Sequence, residues 1–152
     1  MALNPDFVGR VYPPSATYVV GREKVREFAS AIGDPNPAYH DVEAAQRLGY
    51  ADLLAPPTFA IILSMRALSD VIHDPELGLD FSRVVHGDQR FAFERAIIAG
   101  DELQVTTTIE SIRFAAGNDM ITTRADVATL DGQHVASTHA LLISRGPEGD
   151  AP

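Results

Sequence analysis

Thr58-Phe-Ala-Ile-Ile-Leu-Ser-Met-Arg-Ala-Leu-Ser-Asp-Val-Ile-His73 is apolar on nearly every side, with Phe59, Ala60, Ile61, Ile62, Leu63, Met65, Ala67, Leu68, Val71 and Ile72 leaving little polar surface. A helix over this span must be enclosed by other elements. It is too short to cross a bilayer, and Pro56-Pro57 in front of it suits proline's tolerance around a first helical turn. Upstream, Val25, Phe28, Ala29 and Ile32 recur at helical spacing within Arg22 to Ile32, after a short β-prone stretch from Thr17 to Val20 and the break at Gly21. Asp41 stands where it would N-cap a further short helix over Val42 to Leu48, ended by Gly49.

Beyond Pro75 and Gly78 the period changes to that of strands, over Val84 to Phe93, Leu103 to Phe114, Met120 to Leu130 and His134 to Ser144. The breaks are turn residues: Ala99-Gly100-Asp101, Gly117-Asn118-Asp119 and Asp131-Gly132, the last a strong hairpin sequence. The final three strands are therefore expected to form an antiparallel meander. One long apolar helix with a strongly twisted antiparallel sheet gives an α+β layout in which the sheet wraps the helix, the single hot-dog arrangement. Residues 1–146 are expected to form this domain and 147–152 a loose tail. Such a sheet exposes edges, so two copies, or this chain and a related hot-dog subunit, are expected to pair as a homodimer or heterodimer.

At 152 residues, 45% of them hydrophobic, the chain suits one domain with a proper core. The lack of cysteine removes disulfides, thiolate nucleophiles and thiolate metal sites and suits a reducing cytoplasm. No signal peptide is visible in Met-Ala-Leu-Asn-Pro-Asp. A net charge of −9 with scattered basic residues argues against nucleic acid and anionic membrane as partners, which favours a small-molecule role. His73, His134 and His139 lack ligand spacing, so no metal is expected.

Chemistry concentrates in Gly33-Asp-Pro-Asn-Pro-Ala-Tyr-His-Asp41, where a carboxylate, an amide and an imidazole share one loop stiffened by two prolines. Asp34 and Asn36 suit proton transfer and ligand binding. They equally suit an Asx turn, in which the side chains satisfy the loop's own backbone. His86-Gly87-Asp88-Gln89 either brings an imidazole and a tight turn to a ligand or simply leads into a strand.

Gly33-Asp34-x-Asn36-Pro37, the acidic-alanine helix from Asp41 to Ala45, Leu54-Ala55 before the central helix, and Phe93 to Asp101 together resemble the MaoC-like hot-dog family of (R)-specific enoyl-thioester hydratases and 3-hydroxyacyl dehydratases. The resemblance runs from about Phe7 to Arg145. The opening Met-Ala-Leu, Gly21 to Glu27, Leu48-Gly49-Tyr50, Leu54-Ala55-Pro56 and Ile98 to Asp101 look most like the shorter subgroup typified by the substrate-recognition subunit of the mycobacterial 3-hydroxyacyl-ACP dehydratase, and like N-terminal-type halves of two-hot-dog hydratases.

The resemblance implies a cofactor-free hydro-lyase of fatty-acid metabolism, adding water reversibly to a trans-2-enoyl CoA or acyl-carrier thioester. Asp34 and His40 would be its acid–base pair, and Asn36, Tyr39, Pro57, Thr58, Phe59, His86 and Gly87 would contact substrate. Donors at the start of the central helix would hold the thioester oxyanion. Two positions depart from the family's catalytic pattern. Its imidazole would fall at Tyr39, one residue before His40, so His40 serves only if the loop bends; and its His-Gly helix opening is replaced by Pro56-Pro57, which removes an N–H. The alternative is therefore a non-catalytic acyl-binding subunit of a heteromeric dehydratase. A hot-dog thioesterase ranks last, because Asp70 is the first acidic residue after Thr58.

Overall fold

The computed structural model describes residues 3–146; the tail at 147–152, expected to be loose, lies outside the described residues. A two-residue strand β1 (Tyr18–Val19) leads into helix α1 (Arg22–Ala31), followed by α2 (Val42–Arg47) and the central helix α3 (Ala60–Ile72). Strands β2 (Val84–Phe93), β3 (Glu102–Ala115), β4 (Asn118–Thr129) and β5 (His134–Arg145) complete the chain. The five strands form one antiparallel sheet in the order β1-β3-β4-β5-β2, curled around α3 as a single hot-dog fold. β3, β4 and β5 are the anticipated meander, and β2 closes the far end against β5.

Alternation explains which face turns inward. Leu103, Val105, Thr107 and Ile109 on β3 are buried, as are Ile121, Ala125 and Val127 on β4 and Ala140 and Leu142 on β5. The core divides in two along α3. Phe59, Ala60, Leu63 and Ala67 pack with Val25 and Ala29 of α1 and with Val105, Val127 and Val135. Further along, Leu68 and Val71 meet Ile109, Ile121, Leu142 and the N-terminal Leu3, Phe7 and Tyr12.

Two sequence-based expectations are revised. Asn118 and Asp119 belong to β4 rather than to a turn, and the β3–β4 reversal is made by Ala116 and Gly117 at φ +50° and +78°. Two consecutive positive φ values match the right-handed twist of the flanking strands. The central helix is also less enclosed than its composition requires: Met65 is 40% exposed and Ile61 and Ile62 are half-buried. A single five-stranded sheet covers only part of the helix circumference. No helix among the described residues is long and apolar enough to cross a membrane.

Candidate active site

Helix α1 delivers the polar loop. Its buried Val25 and Ala29 anchor it to the core, while Phe28 packs edge-on against Phe59 at 5.5 Å between ring centroids. Gly33 reverses the chain at φ +71°, and the Asp34 N–H then donates to the Ala29 carbonyl at 2.9 Å. This is a glycine-terminated helix end that aims Asp34 away from the helix axis. The Asp34 carboxylate accepts from the Asn36 N–H at 3.0 Å, and the Asn36 side-chain oxygen accepts from the Ala38 N–H at 3.1 Å. Both side chains therefore make the Asx turns that their spacing allowed.

Pro37–Tyr39 forms one turn of 3₁₀ helix, and this is the bend that His40 required. The His40 ring folds back so that Nε2 donates to the Asp34 carbonyl at 3.0 Å. A carbonyl only accepts, so Nε2 is the donor in this contact. From α1, Arg26 Nε donates to the His40 carbonyl at 2.9 Å and holds the loop against the helix. Asp34 and His40 thus line one open concavity of about 450 Å³ with Ser30, Gly33 and Pro35. Tyr39 does not line this concavity and is buried at 6% exposure. Its phenol is pushed up by burial and by the charge of Asp34, partly offset by Asn36.

The opening of α3 is built from Pro56 and a 3₁₀ turn, Pro57–Phe59. Phe59 is fully buried between the edges of Tyr18 and Phe28, Thr58 is exposed, and the Thr58 N–H has no partner among the described residues. Pro56 and Pro57 line a separate apolar concavity of about 230 Å³ with Tyr50, Leu54, Ala55, Phe93, Ala96 and Ile97. Neither concavity contains residues of the other.

His86 and Gly87 join neither group. They sit on β2 where the register with β5 slips between His86 and Asp88, and a Cβ at Gly87 would lie 2.9 Å from Ile143 Cδ1. Gly87 sits in a bulge packed closely against β5, where an added Cβ would have to displace the end of the Ile143 side chain. Ser30, Tyr50 and Phe93 are not among the sequence-based candidates, and Arg26 enters the sequence reading only as part of a surface patch with Arg22 and Lys24. Phe93 was open to discovery through strand alternation, whereas the reach of Arg26 to a carbonyl 14 residues away leaves no trace in spacing. Among the described residues no group of three His, Cys, Asp or Glu side chains could hold a metal ion.

This chain is 56% identical over 148 residues to a UPF0336 protein of Streptomyces avermitilis, the match covering 97% of this chain and 99% of that one. Its structure superposes on a chain of the C-terminally truncated HadBC (3R-hydroxyacyl-ACP dehydratase) complex of Mycobacterium tuberculosis with a TM-score of 0.81 and 36% identity, over 91% of this chain and 97% of that one. It also matches a MaoC-like dehydratase with a TM-score of 0.85 and 32% identity, covering 93% of this chain but 43% of that longer one. With residues 6–138 matched by the model of the FAS1-like dehydratase domain region, the chain belongs to that family of hot-dog dehydratases and hydratases.

Proposed function

We propose that this chain is the acyl-thioester-binding subunit of a two-subunit (R)-3-hydroxyacyl-thioester dehydratase, and that a related hot-dog subunit supplies the proton-transfer groups. The observation that carries this reading is the separation of Asp34 and His40 from Pro56 and Pro57, at the opening of α3, into two concavities. Adding water to a trans-2-enoyl thioester moves a proton off water at C3, places one on C2 and builds negative charge on the thioester oxygen. The acid–base pair and the oxyanion donors must therefore converge within hydrogen-bond reach of one ligand. Within this chain they do not share a cavity. Pro57 has no N–H to offer at the helix opening, and one missing oxyanion donor raises such a barrier by about 3 kcal/mol.

The Pro57 concavity does suit binding. Tyr50, Leu54, Phe93 and Ile97 make it apolar, and it adjoins the positive end of α3, where the Thr58 N–H has no partner among the described residues. The partner is proposed to dock along β2, an outer strand of the sheet, and over the uncovered Ile61, Ile62 and Met65 of α3. HadBC, a complex of related subunits, is consistent with this arrangement.

A second reading rests on the bend that brings His40 back to Asp34: the chain alone hydrates enoyl thioesters with these two as acid and base. Purified chain mixed with crotonyl-CoA and with a longer enoyl-CoA, followed by loss of the enoyl absorbance, separates the two. The first reading expects binding without turnover alone and turnover once a catalytic hot-dog partner is added, with Asp34→Asn indifferent in the mixture. Turnover by the chain alone that Asp34→Asn abolishes would establish the second reading in its place.

A further inference from the structure

A third concavity, of about 370 Å³, is lined in part by Tyr18, Leu63, Arg66, Ala67, Asp70 and Val105, and none of its lining residues enters the two concavities described above. This volume falls in the range of small-ligand sites, roughly 300–1,000 Å³. Its floor, Leu63, Ala67 and Val105, is apolar and buried. Its rim carries one cation, Arg66.

Arg66 is one of four arginines in this acidic protein, with Arg83, Arg113 and Arg145, that lack an ion pair among the described residues. Most of its twelve lysine and arginine side chains are ion-paired, as in Arg22–Asp52, Arg95–Asp101 and Arg124–Glu110. Arg66 makes no ion pair among the described residues, although Asp70 lies one helical turn away on the same rim. Its guanidinium instead lies over the Tyr18 ring at 5.4 Å from the centroid. Stacking on an aromatic face leaves the N–H edge of the guanidinium available to a planar two-oxygen anion.

We infer that this cleft binds the carboxylate end of a medium-chain fatty acid, with the alkyl chain over Leu63, Ala67 and Val105 and the two carboxylate oxygens on the Arg66 fork. Asp70 disfavours a doubly charged phosphate more than a singly charged carboxylate, and the apolar floor favours an alkyl tail over a wholly polar anion. The site is independent of the thioester-binding reading, since it uses none of those residues.

The test is a titration of the full chain with octanoate, and separately with octanol, followed by amide and methyl chemical shifts. Octanoate is expected to shift Tyr18, Leu63 and Val105, and to bind Arg66→Gln at least about tenfold more weakly, the loss of one charge-assisted pair. Octanol, with no charge to engage, is expected to bind the two proteins alike. Arg66 is exposed on the helix, so the variant is expected to fold, and an unchanged amide spectrum without ligand checks this. Unaltered octanoate affinity in Arg66→Gln, or shifts confined to the Asp34 or Pro57 concavities, would overturn the assignment. Retained acyl-CoA binding by Arg66→Gln would show that only the carboxylate site was removed.

Discussion

Gly33 and Ala116 show how much a single backbone angle carries here. Gly33 turns α1 into the polar loop at φ +71°, with open space where a Cβ would stand, so its constraint is torsional rather than steric crowding. Gly33→Ala is expected to destabilise the fold by about 1–2 kcal/mol in chemical denaturation, the ordinary cost of a left-handed alanine, and to loosen the Asp34–His40 contact. Ala116 already bears that cost at φ +50° in the β3–β4 turn. Ala116→Asn, which makes an Asn-Gly pair suited to that turn, is expected to stabilise by about 0.5–1 kcal/mol, read as a higher melting temperature. Asp34 and Asn36 were legible as an Asx-turn pair because that reading needs only neighbours in sequence. The orientation of His40 was not, since it depends on a 3₁₀ turn closed against α1.

Helix α3 has one buried side and one bare side, and the two predict opposite responses to truncation. Phe59, fully buried between Tyr18 and Phe28, is expected to cost about 3–5 kcal/mol as Phe59→Ala, measured by urea unfolding. Met65→Ala, at an exposed position, is expected to change stability by less than about 0.5 kcal/mol. The N-terminal segment is tied to the end of the same helix by the Tyr12 hydroxyl, which donates to Asp74 Oδ2 at 3.1 Å. Burial first, then this bond and the charge of Asp74, push the Tyr12 phenol up to about 12. A phenol whose folded value lies above its unfolded value of about 10 contributes stability that is fully present below pH 10 and is lost as pH rises toward 12. Tyr12→Phe is therefore expected to flatten the alkaline limb of a stability–pH curve from pH 8 to 12 while leaving the neutral range nearly parallel.

The assembled molecule leaves β2, Phe93 and the Ile61–Met65 side of α3 without cover, while its interior is packed in two clusters. Val85 and Phe93, each 37% exposed on β2, are the side chains whose replacement by lysine is expected to lower self-association or partner association without unfolding the monomer, as read by sedimentation velocity and circular dichroism. Intact assembly in the Val85→Lys, Phe93→Lys variant would place the interface elsewhere. The hot-dog layout was readable before any coordinates. The apolar run from Phe59 to Ile72 demands enclosure, the Asp131-Gly132 hairpin and the period-two runs demand a meander, and each rests on spacing within one segment. The division of Asp34 and His40 from Pro56 and Pro57, the placing of His86 and Gly87 at a bulge that lines neither concavity, and the cleft under Arg66 came only from the folded chain. These are relations between side chains brought together by packing of distant elements, and no periodicity along a sequence encodes the distance between two elements in space.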